Sequence, residues 1–589
     1  MTRPRDGQAL DMALARRFAR YVRPYGGSIG LSLGLLFISG ALDLVGPYLT
    51  KIAIDSAIPE QDTGLLLRVV AAFVVVLVLS FVTRYFQQII VTRAGQSIMR
   101  DLRSELFAHL QRMNLPYFNA NPVGRIVTRL TSDVETMNEL LTSGLVSIVA
   151  DVVTLVGITV ILLWIDPGLA LITYTVIPPL LFASFRFRKI ARDGFRATRE
   201  RVGRLNGVMQ ETFSGIEVVK LFGREGANDE SFDRENTALR TAWLGVNEAF
   251  ALFFPVVQVV LAVAMALVLW GGGVRVLADS LTFGELVAFL QYVQRFFLPL
   301  RDLSEKYNVL QSAMASMERI FGILDTPADE AEFDARPKLE EFGGSIEFRN
   351  VSFHYVEGEP VLKNVSFRVR PGERVALVGA TGAGKSTVFS LLLGFYEPTE
   401  GSILIDGRDL RGLDPRSLRA RTGTVLQDVF LFSTDVDWNV RLGDDALTAE
   451  DVDRALRSSR AERIVDGLPA GRRERLGERG RSLSVGQRQL LSFSRALARR
   501  PDLLLLDEAT SSVDSETEGL IQEALHEALH GRTCLVVAHR LSTVRDADRI
   551  LVFHHGVLCE QGTHDELLRE RGIYHRLVQV QFGTEADVA

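Results

Sequence analysis

Long apolar stretches crowd the first half of this 589-residue chain and are missing from the second. Six of them, at 29–49, 65–83, 141–164, 169–187, 250–270 and 283–301, match the roughly 20 residues that a helix needs to cross a bilayer. No water is present there to satisfy backbone amides, so each run must hydrogen-bond within itself, as a helix does. Beyond about residue 340 the apolar runs are short and broken by Gly, Asp and Pro, the pattern of a water-soluble domain. The expected fold class is an α-helical polytopic membrane domain with six transmembrane helices at 1–325, followed by a soluble α/β domain with an antiparallel β subdomain at 345–589. The intervening 326–344, rich in Asp, Glu, Ala and Pro, reads as a linker.

Basic residues orient the spans. Arg16, Arg17, Arg20 and Arg23 precede the first, six arginines from Arg93 to Arg129 follow the second, and a cluster from Arg186 to Arg204 follows the fourth. The opposite loops hold little beyond Lys51 and Arg275, which places both termini and the soluble domain in the cytoplasm. The apolar run at 29–49 is too long for a cleaved signal core and stays as a span. Leu14, Phe18 and Tyr21 share one helical face ahead of it, as in a helix lying along the inner leaflet. The inner loops are long and helical in pattern, with turns expected at 114–124 and 213–223. A net charge of −6 gives no footprint for nucleic acid, and Cys534 and Cys559 alone form no disulfide framework or metal motif.

The run GATGAGKS at 379–386 follows an apolar strand pattern and precedes a helical one. Gly379, Thr381, Gly382, Ala383 and Gly384 let backbone N–H groups turn inward around phosphates. Lys385 neutralises the β and γ phosphates, Ser386 holds Mg²⁺, and Thr387 opens the helix. The run Leu503, Leu504, Leu505 and Leu506 ends in Asp507 and Glu508, the placement expected for a Mg²⁺-organising carboxylate followed by one that activates water. The expected ligands are therefore ATP and Mg²⁺.

With LSVGQ at 483–487 shortly before that strand, the soluble half resembles the nucleotide-binding domain of an ABC transporter. The resemblance implies that Ser484, Gly486 and Gln487 face ATP held by an opposing subunit. It also implies that Tyr355 stacks on adenine, that Gln427 contacts Mg²⁺ and the membrane domain, and that His539 is the switch histidine. Asp514 then belongs to a loop crossing the dimer interface, and GERG at 477–480 to a segment touching the partner's intracellular loop. The membrane half is similar to that of a half-size ABC exporter, with NPVGR at 121–125 and TSD at 131–133 in its first intracellular loop and coupling helices at about 114–121 and 214–222.

One departure stands out, because the family's LSGGQ carries Val485 at its third position. A β-branched residue disfavours unusual backbone angles and narrows the approach to a phosphate. Such a change resembles one half of heterodimeric multidrug exporters, so the expected partner is a second half-transporter with a degenerate ATP site. The expected substrate is a small amphipathic compound, a drug or lipid, taken from the cytoplasm or from the membrane lipids of the inner leaflet. A homodimeric lipid or peptide exporter and a nucleotide-gated channel or regulator are the alternatives. The absence of a protease-like domain before the first span counts against leader-bearing peptides. Asp43, Asp151 and Arg295 fall inside spans, with Glu248 near the start of another, and either contact substrate, pair across helices, lie at span ends or stabilise the dimer. Phe289, Tyr292 and Phe296 form an aromatic stripe that either packs helices or binds drug.

Overall fold

Five of the six expected spans lie within a continuous helical stretch of the computed structural model, which describes residues 12–328, 333–507, 515–538 and 541–581. Among the described residues five helical stretches are long and apolar enough to cross a membrane: Met12–Ala57, Thr63–Gln111, Val123–Ile165, Pro167–Ser214 and Glu225–Leu277. The sixth span falls in the helix Phe283–Leu324, whose first half is more polar because it carries Glu285, Gln291, Gln294 and Arg295. At 49 and 53 residues, Thr63–Gln111 and Glu225–Leu277 are roughly 74 and 80 Å long, more than twice a hydrocarbon core. The surplus forms the long connections after the second span and before the fifth. The first returns through the short helix Leu115–Ala120, capped by the Asn114 side chain accepting from the Tyr117 amide (3.0 Å). The second returns through Ile216–Leu221.

The fourth span departs from a continuous helix. It breaks between Pro167–Tyr174 and Ile177–Ser214, because Pro178 and Pro179 have no amide to continue the ladder. The helix Met12–Val22 is tied down by protein contacts on the apolar face read from the sequence. Phe18 is buried, Tyr21 stacks on Phe321 and Arg17 pairs with Asp325 at 2.6 Å.

The charges inside the spans are largely paired across helices. Asp43 accepts from Ser80 (3.0 Å) and pairs with Arg84, Asp151 pairs with Lys306, and Arg295 donates to the backbone carbonyl of Asp43. Glu248 is exposed. Phe289, Tyr292 and Phe296 are buried in the helix core, with the Tyr292 hydroxyl donating to the Leu44 carbonyl at 2.6 Å, so the stripe packs helices. The TSD motif supplies Asp133, held by the Nε and an Nη of Arg319 at 2.8 and 2.6 Å, which fastens the connection after the second span to the sixth helix.

By contacts the chain divides into two units, residues 1–110 with 123–326, and 111–122 with 327–589. The short helix Leu115–Ala120 thus belongs with the soluble part. So does the latter half of the 326–344 segment, where Leu339 is buried and its amide donates to Ser417 at 2.9 Å.

Ten strands build two sheets in the second unit. They are β1 (Ile346–His354), β2 (Pro360–Val369), β3 (Arg374–Gly379), β4 (Glu400–Ile405), β5 (Arg408–Asp409), β6 (Thr422–Val425), β7 (Leu503–Asp507), β8 (Thr533–Val537), β9 (Arg549–His554) and β10 (Val557–Gly562). An antiparallel sheet runs β2-β1-β4-β5, and a larger sheet runs β10-β9-β3-β8-β7-β6, parallel except at the β10 edge. Leu504, Leu506 and Val536 enter one core while Leu503, Leu505 and Leu535 enter the other, so the sheet is buried on both faces. This explains an unbroken leucine run without polar alternation.

At the opposite end of the first helix from the N-terminal arginines, Asp55 accepts from the Thr282 hydroxyl (2.5 Å) and the Gly284 amide (2.7 Å), beside a Lys51–Glu285 pair at 2.9 Å. These bonds fasten the start of the sixth helix to the first. Asp55→Ala is expected to cost about 1–3 kcal/mol, the worth of bonds to a charged acceptor. A lowered melting midpoint of the purified protein in detergent is the check.

Candidate functional site

Strand register brings the chemistry-bearing residues to one edge. Leu377 on β3 and Asp507 on β7 both align with Val537 on β8, so the carboxyl ends of three neighbouring parallel strands are level. Such an edge is where α/β sheets bind ligands. The GATGAGKS loop leaves β3 there. A Cβ on Gly379 would lie 2.2 Å from the Phe553 carbonyl oxygen, so only glycine fits. Gly384 has φ +98°, and a Cβ there would lie 2.6 Å from the Leu362 side chain. That turn lets the chain enter the helix Lys385–Leu392 directly.

Within the loop, the buried Lys385 ammonium donates to the Gly379 (2.7 Å) and Ala380 (3.0 Å) carbonyls. Burial lowers its pKa and the Asp507 carboxylate opposes that effect, which leaves a desolvated cation at the mouth of the loop. The Ser386 hydroxyl donates to Asp507 at 2.9 Å. Two oxygen donors from different elements converge here, a set suited to a hard divalent cation. Thr381 and Gly382 are exposed while Ala383 and Thr387 are buried. The half-exposed Tyr355 donates from its hydroxyl to Thr387 at 3.2 Å, which brings the expected adenine platform to the phosphate loop.

Gln427 lies exposed two residues beyond β6, and among the described residues no hydrogen bond joins it to Ser386 or Asp507. Glu508, Asp514 and His539 lie outside the described residues.

Ser484 is the N-cap of the helix Val485–Ala498, with a reciprocal capping box to Gln487. Val485 and Gly486 are its first two helical residues, so the signature opens the helix instead of preceding it. This removes one expected consequence of the valine, since position 485 has ordinary helical backbone and needs no unusual angle. Its side chain is 44% exposed at the helix N-terminus, and the steric consequence remains. No hydrogen bond links Ser484, Gly486 or Gln487 to the phosphate loop among the described residues.

Sequence reasoning missed Arg495 and Asn439. Arg495 donates to the Phe430 carbonyl (2.9 Å) and the Asn439 carbonyl (3.0 Å), and the buried Asn439 side chain accepts from the Phe432 amide (2.8 Å). These bonds tie the signature helix to a segment exposing Phe430, Phe432 and Trp438, with Gly480 packed on Leu431. A lone asparagine and one helical arginine carry no signal in sequence.

Comparison with known proteins agrees with this geometry. The ABC transporter transmembrane region matches residues 29–300, and the ABC transporter family matches 362–511. The uncharacterized ABC transporter ATP-binding protein YknV of Bacillus subtilis is 37% identical over 573 residues, covering 97% of this chain and 95% of that one. The chain belongs to the ABC transporters. With one membrane part and one ATPase part it is an ABC exporter half-transporter, a multi-pass membrane protein that couples ATP hydrolysis to transport. A fatty acid ABC transporter ATP-binding/permease protein of Mycobacterium bovis is 39% identical over 484 residues, 82% of this chain and 76% of that one. The structure of a bacterial Atm1-family ABC exporter with ATP bound superposes with a TM-score of 0.76 at 30% identity, covering 97% of this chain and 99% of that one.

Lys385→Ala deletes the desolvated cation at the mouth of the loop. Titration of the purified transporter with a fluorescent ATP analogue is expected to show an affinity about 10- to 100-fold weaker, the worth of a charge-assisted bond.

Proposed function

We propose that this chain is one half of a dimeric exporter that moves hydrophobic or amphipathic compounds, of lipid or drug type, out of the cytoplasm or inner leaflet by alternating access. The observation that carries the nucleotide chemistry is the convergence of Lys385, Ser386 and Asp507 at one sheet edge. In this reading Lys385 leaves the Gly379 and Ala380 carbonyls to meet the β and γ phosphates, cradled by the amides of Gly379, Thr381, Gly382, Ala383 and Gly384 and by Thr387. Ser386, Asp507 and Gln427 hold Mg²⁺, which neutralises phosphate charge when bound. Tyr355 carries adenine, Glu508 takes the proton of the attacking water, and His539 faces the γ phosphate. The soluble domain, residues 345–589, and both termini lie in the cytoplasm, with 1–325 as the membrane domain and 326–344 joining them. The lipid-like substrate class is supported by the fatty acid transporter among the relatives.

A single chain leaves this machinery incomplete. Among the described residues its signature helix makes no hydrogen bond to its own phosphate loop, and Ile216–Leu221 exposes Val218 and Leu221, flanked by exposed Phe213 and Phe222. This apolar face suits an aromatic patch such as Phe430, Phe432 and Trp438 on the opposing subunit. Glu508→Gln is expected to keep ATP binding and to slow hydrolysis by about two to four orders of magnitude, the worth of general-base assistance. Near-normal turnover by vesicle-reconstituted protein, after subtraction of any partner's activity, would remove Glu508 from the role. Directional accumulation of a fluorescent fatty acid in sealed vesicles separates a pump from a channel, which only dissipates a gradient.

The partner is a different chain in this reading. Val485 places a branched, exposed side chain where the opposing site's phosphate arrives, so pairing with a half that lacks its own catalytic base would gather both defects in one site. The other site keeps full machinery. Expression of this chain alone is expected to give a poorly active product rescued by a second half-transporter. A stable homodimer with full substrate-stimulated ATPase activity would overturn the heterodimer.

A further inference from the structure

The helix Ile177–Ser214 meets Glu225–Leu277 along one side. Ala191 and Thr198 are buried on it, the Phe187 ring stacks on Phe253 with centroids 4.1 Å apart, and a Cβ on Gly194 would lie 2.8 Å from the Val246 side chain. The other side carries a separate pattern. Phe182, Phe185, Lys189, Arg192 and Arg196 recur every three or four residues, which keeps them within about 80° of one another around the helix. All five are exposed, the two rings by 74% and 65%. Among the described residues no hydrogen bond or ion pair engages Lys189, Arg192 or Arg196, and Asp193 is the one carboxylate between Phe182 and Arg199. Farther along the same helix Arg201 and Arg204 do pair, with Glu235 at 3.8 Å and Glu200 at 2.7 Å.

We infer that this face of Ile177–Ser214 holds an anionic glycerophospholipid, its phosphate on Lys189, Arg192 and Arg196 and its acyl chain along Phe182 and Phe185. Only the leaflet, the inner one, rests on the proposed cytoplasmic placement of the helix's charged end. Depth supports the match. The apolar run ends at Phe187, so a rise of 1.5 Å per residue sets the three cationic positions about 3, 8 and 14 Å past it. A headgroup layer reaches roughly 5–8 Å beyond the hydrocarbon. Side chains on a helix lean toward its N-terminus, here the apolar end, so the long Arg196 side chain reaches back toward that layer. Chemistry supports it too. Three like charges without a counter-ion beside a low-dielectric slab repel one another and gain from a phosphate between them. A free phosphate would use the cations and leave the rings idle, and a water-soluble acidic protein would not reach rings at hydrocarbon depth. A phospholipid engages both along one axis.

The purified full-length transporter in detergent is titrated with phosphatidylglycerol or with phosphatidylcholine of the same acyl chains, and the lipids retained per chain are counted by native mass spectrometry. Phosphatidylglycerol is expected to be retained at concentrations about 100-fold lower, since each of three cations near an anionic headgroup is worth about fivefold. Replacing Lys189, Arg192 and Arg196 together by Gln is expected to abolish that preference. Arg192→Lys with Arg196→Lys keeps the charge and is expected to keep the preference within about threefold, which separates lost contacts from lost folding. Phe182→Ala with Phe185→Ala is expected to weaken retention of both lipids about tenfold, the worth of partly buried aromatic surface, without changing their ratio. Gln at the exposed Arg457, Arg463 and Arg569 of the soluble unit removes the same charge and is expected to change nothing. Equal retention of the two lipids, an unchanged preference in the triple Gln variant, an equal loss in the charge-matched one, or unaltered retention without the rings would each overturn the lipid site. So would displacement of the lipid by millimolar glycerol phosphate, which would make this a site for soluble anions, or cross-linking of Lys189 to a second copy of the chain with no lipid retained.

Discussion

Everything in the membrane half follows from the absence of water in a hydrocarbon core. A backbone amide left unpaired there costs several kcal/mol, so each span closes its hydrogen bonds within itself and the unit becomes a set of helical rods. Rods have no reason to stop at the membrane surface when their sequence stays helix-favouring. Thr63–Gln111 and Glu225–Leu277 run on well past that length, and the Arg319–Asp133 pair fastens the connection after Thr63–Gln111 to the sixth helix. The same shortage of water explains the charges inside the spans. Asp43 and Asp151 are held by Arg84 and Lys306, because an uncompensated carboxylate at that depth is more costly than the ordering of two side chains. Arg295, which bonds a carbonyl instead of a carboxylate and stays exposed, keeps donors to spare.

The soluble half is organised by a different constraint, a parallel sheet with both faces covered. Leucines pointing alternately into two cores leave no polar group along β7 until its carboxyl end, where Asp507 emerges level with the end of β3. The burial that shapes the sheet also desolvates Lys385, whose ammonium donates to the carbonyls of Gly379 and Ala380 and so holds the loop in shape.

Hydropathy made the six spans readable because it integrates over about 20 residues, and the phosphate loop was readable because its spacing is enforced by backbone geometry. What depended on single residues was not legible. The break at 175–176 was signalled by Pro178 and Pro179 yet was absorbed into an apolar run. The strand β6 has only four residues, one of them Gly423, too few for a periodicity. The β9–β10 hairpin turns at His555 and Gly556, both with positive φ, a weaker signal than Asn-Gly. Arg495 bonds the Asn439 and Phe430 carbonyls from 56 and 65 residues away, which no local pattern announces. Val485 shows the converse error. Its departure from the signature was visible, but that it falls in ordinary helical backbone, so that only its bulk counts, required the helix boundary.

The two inner turns differ in a way that bears on how force passes between the halves. The first, Leu115–Ala120, groups with the soluble unit although it is joined to membrane rods on both sides. Its joints are short, with residues 112–114 on one side and 121–122 on the other, and a fully extended chain spans at most about 3.5 Å per residue. Those joints span roughly 10 Å and 7 Å at the very most. A rod of about 74 Å turns a small displacement at one end into tilt along its whole length instead of dissipating it in a loop. The second turn, Ile216–Leu221, groups with the membrane unit and leaves its apolar side chains uncovered in this chain. The first turn is thus packed with the unit that holds the phosphate loop, while the second groups with the spans, although hydropathy and turn signals read the two alike.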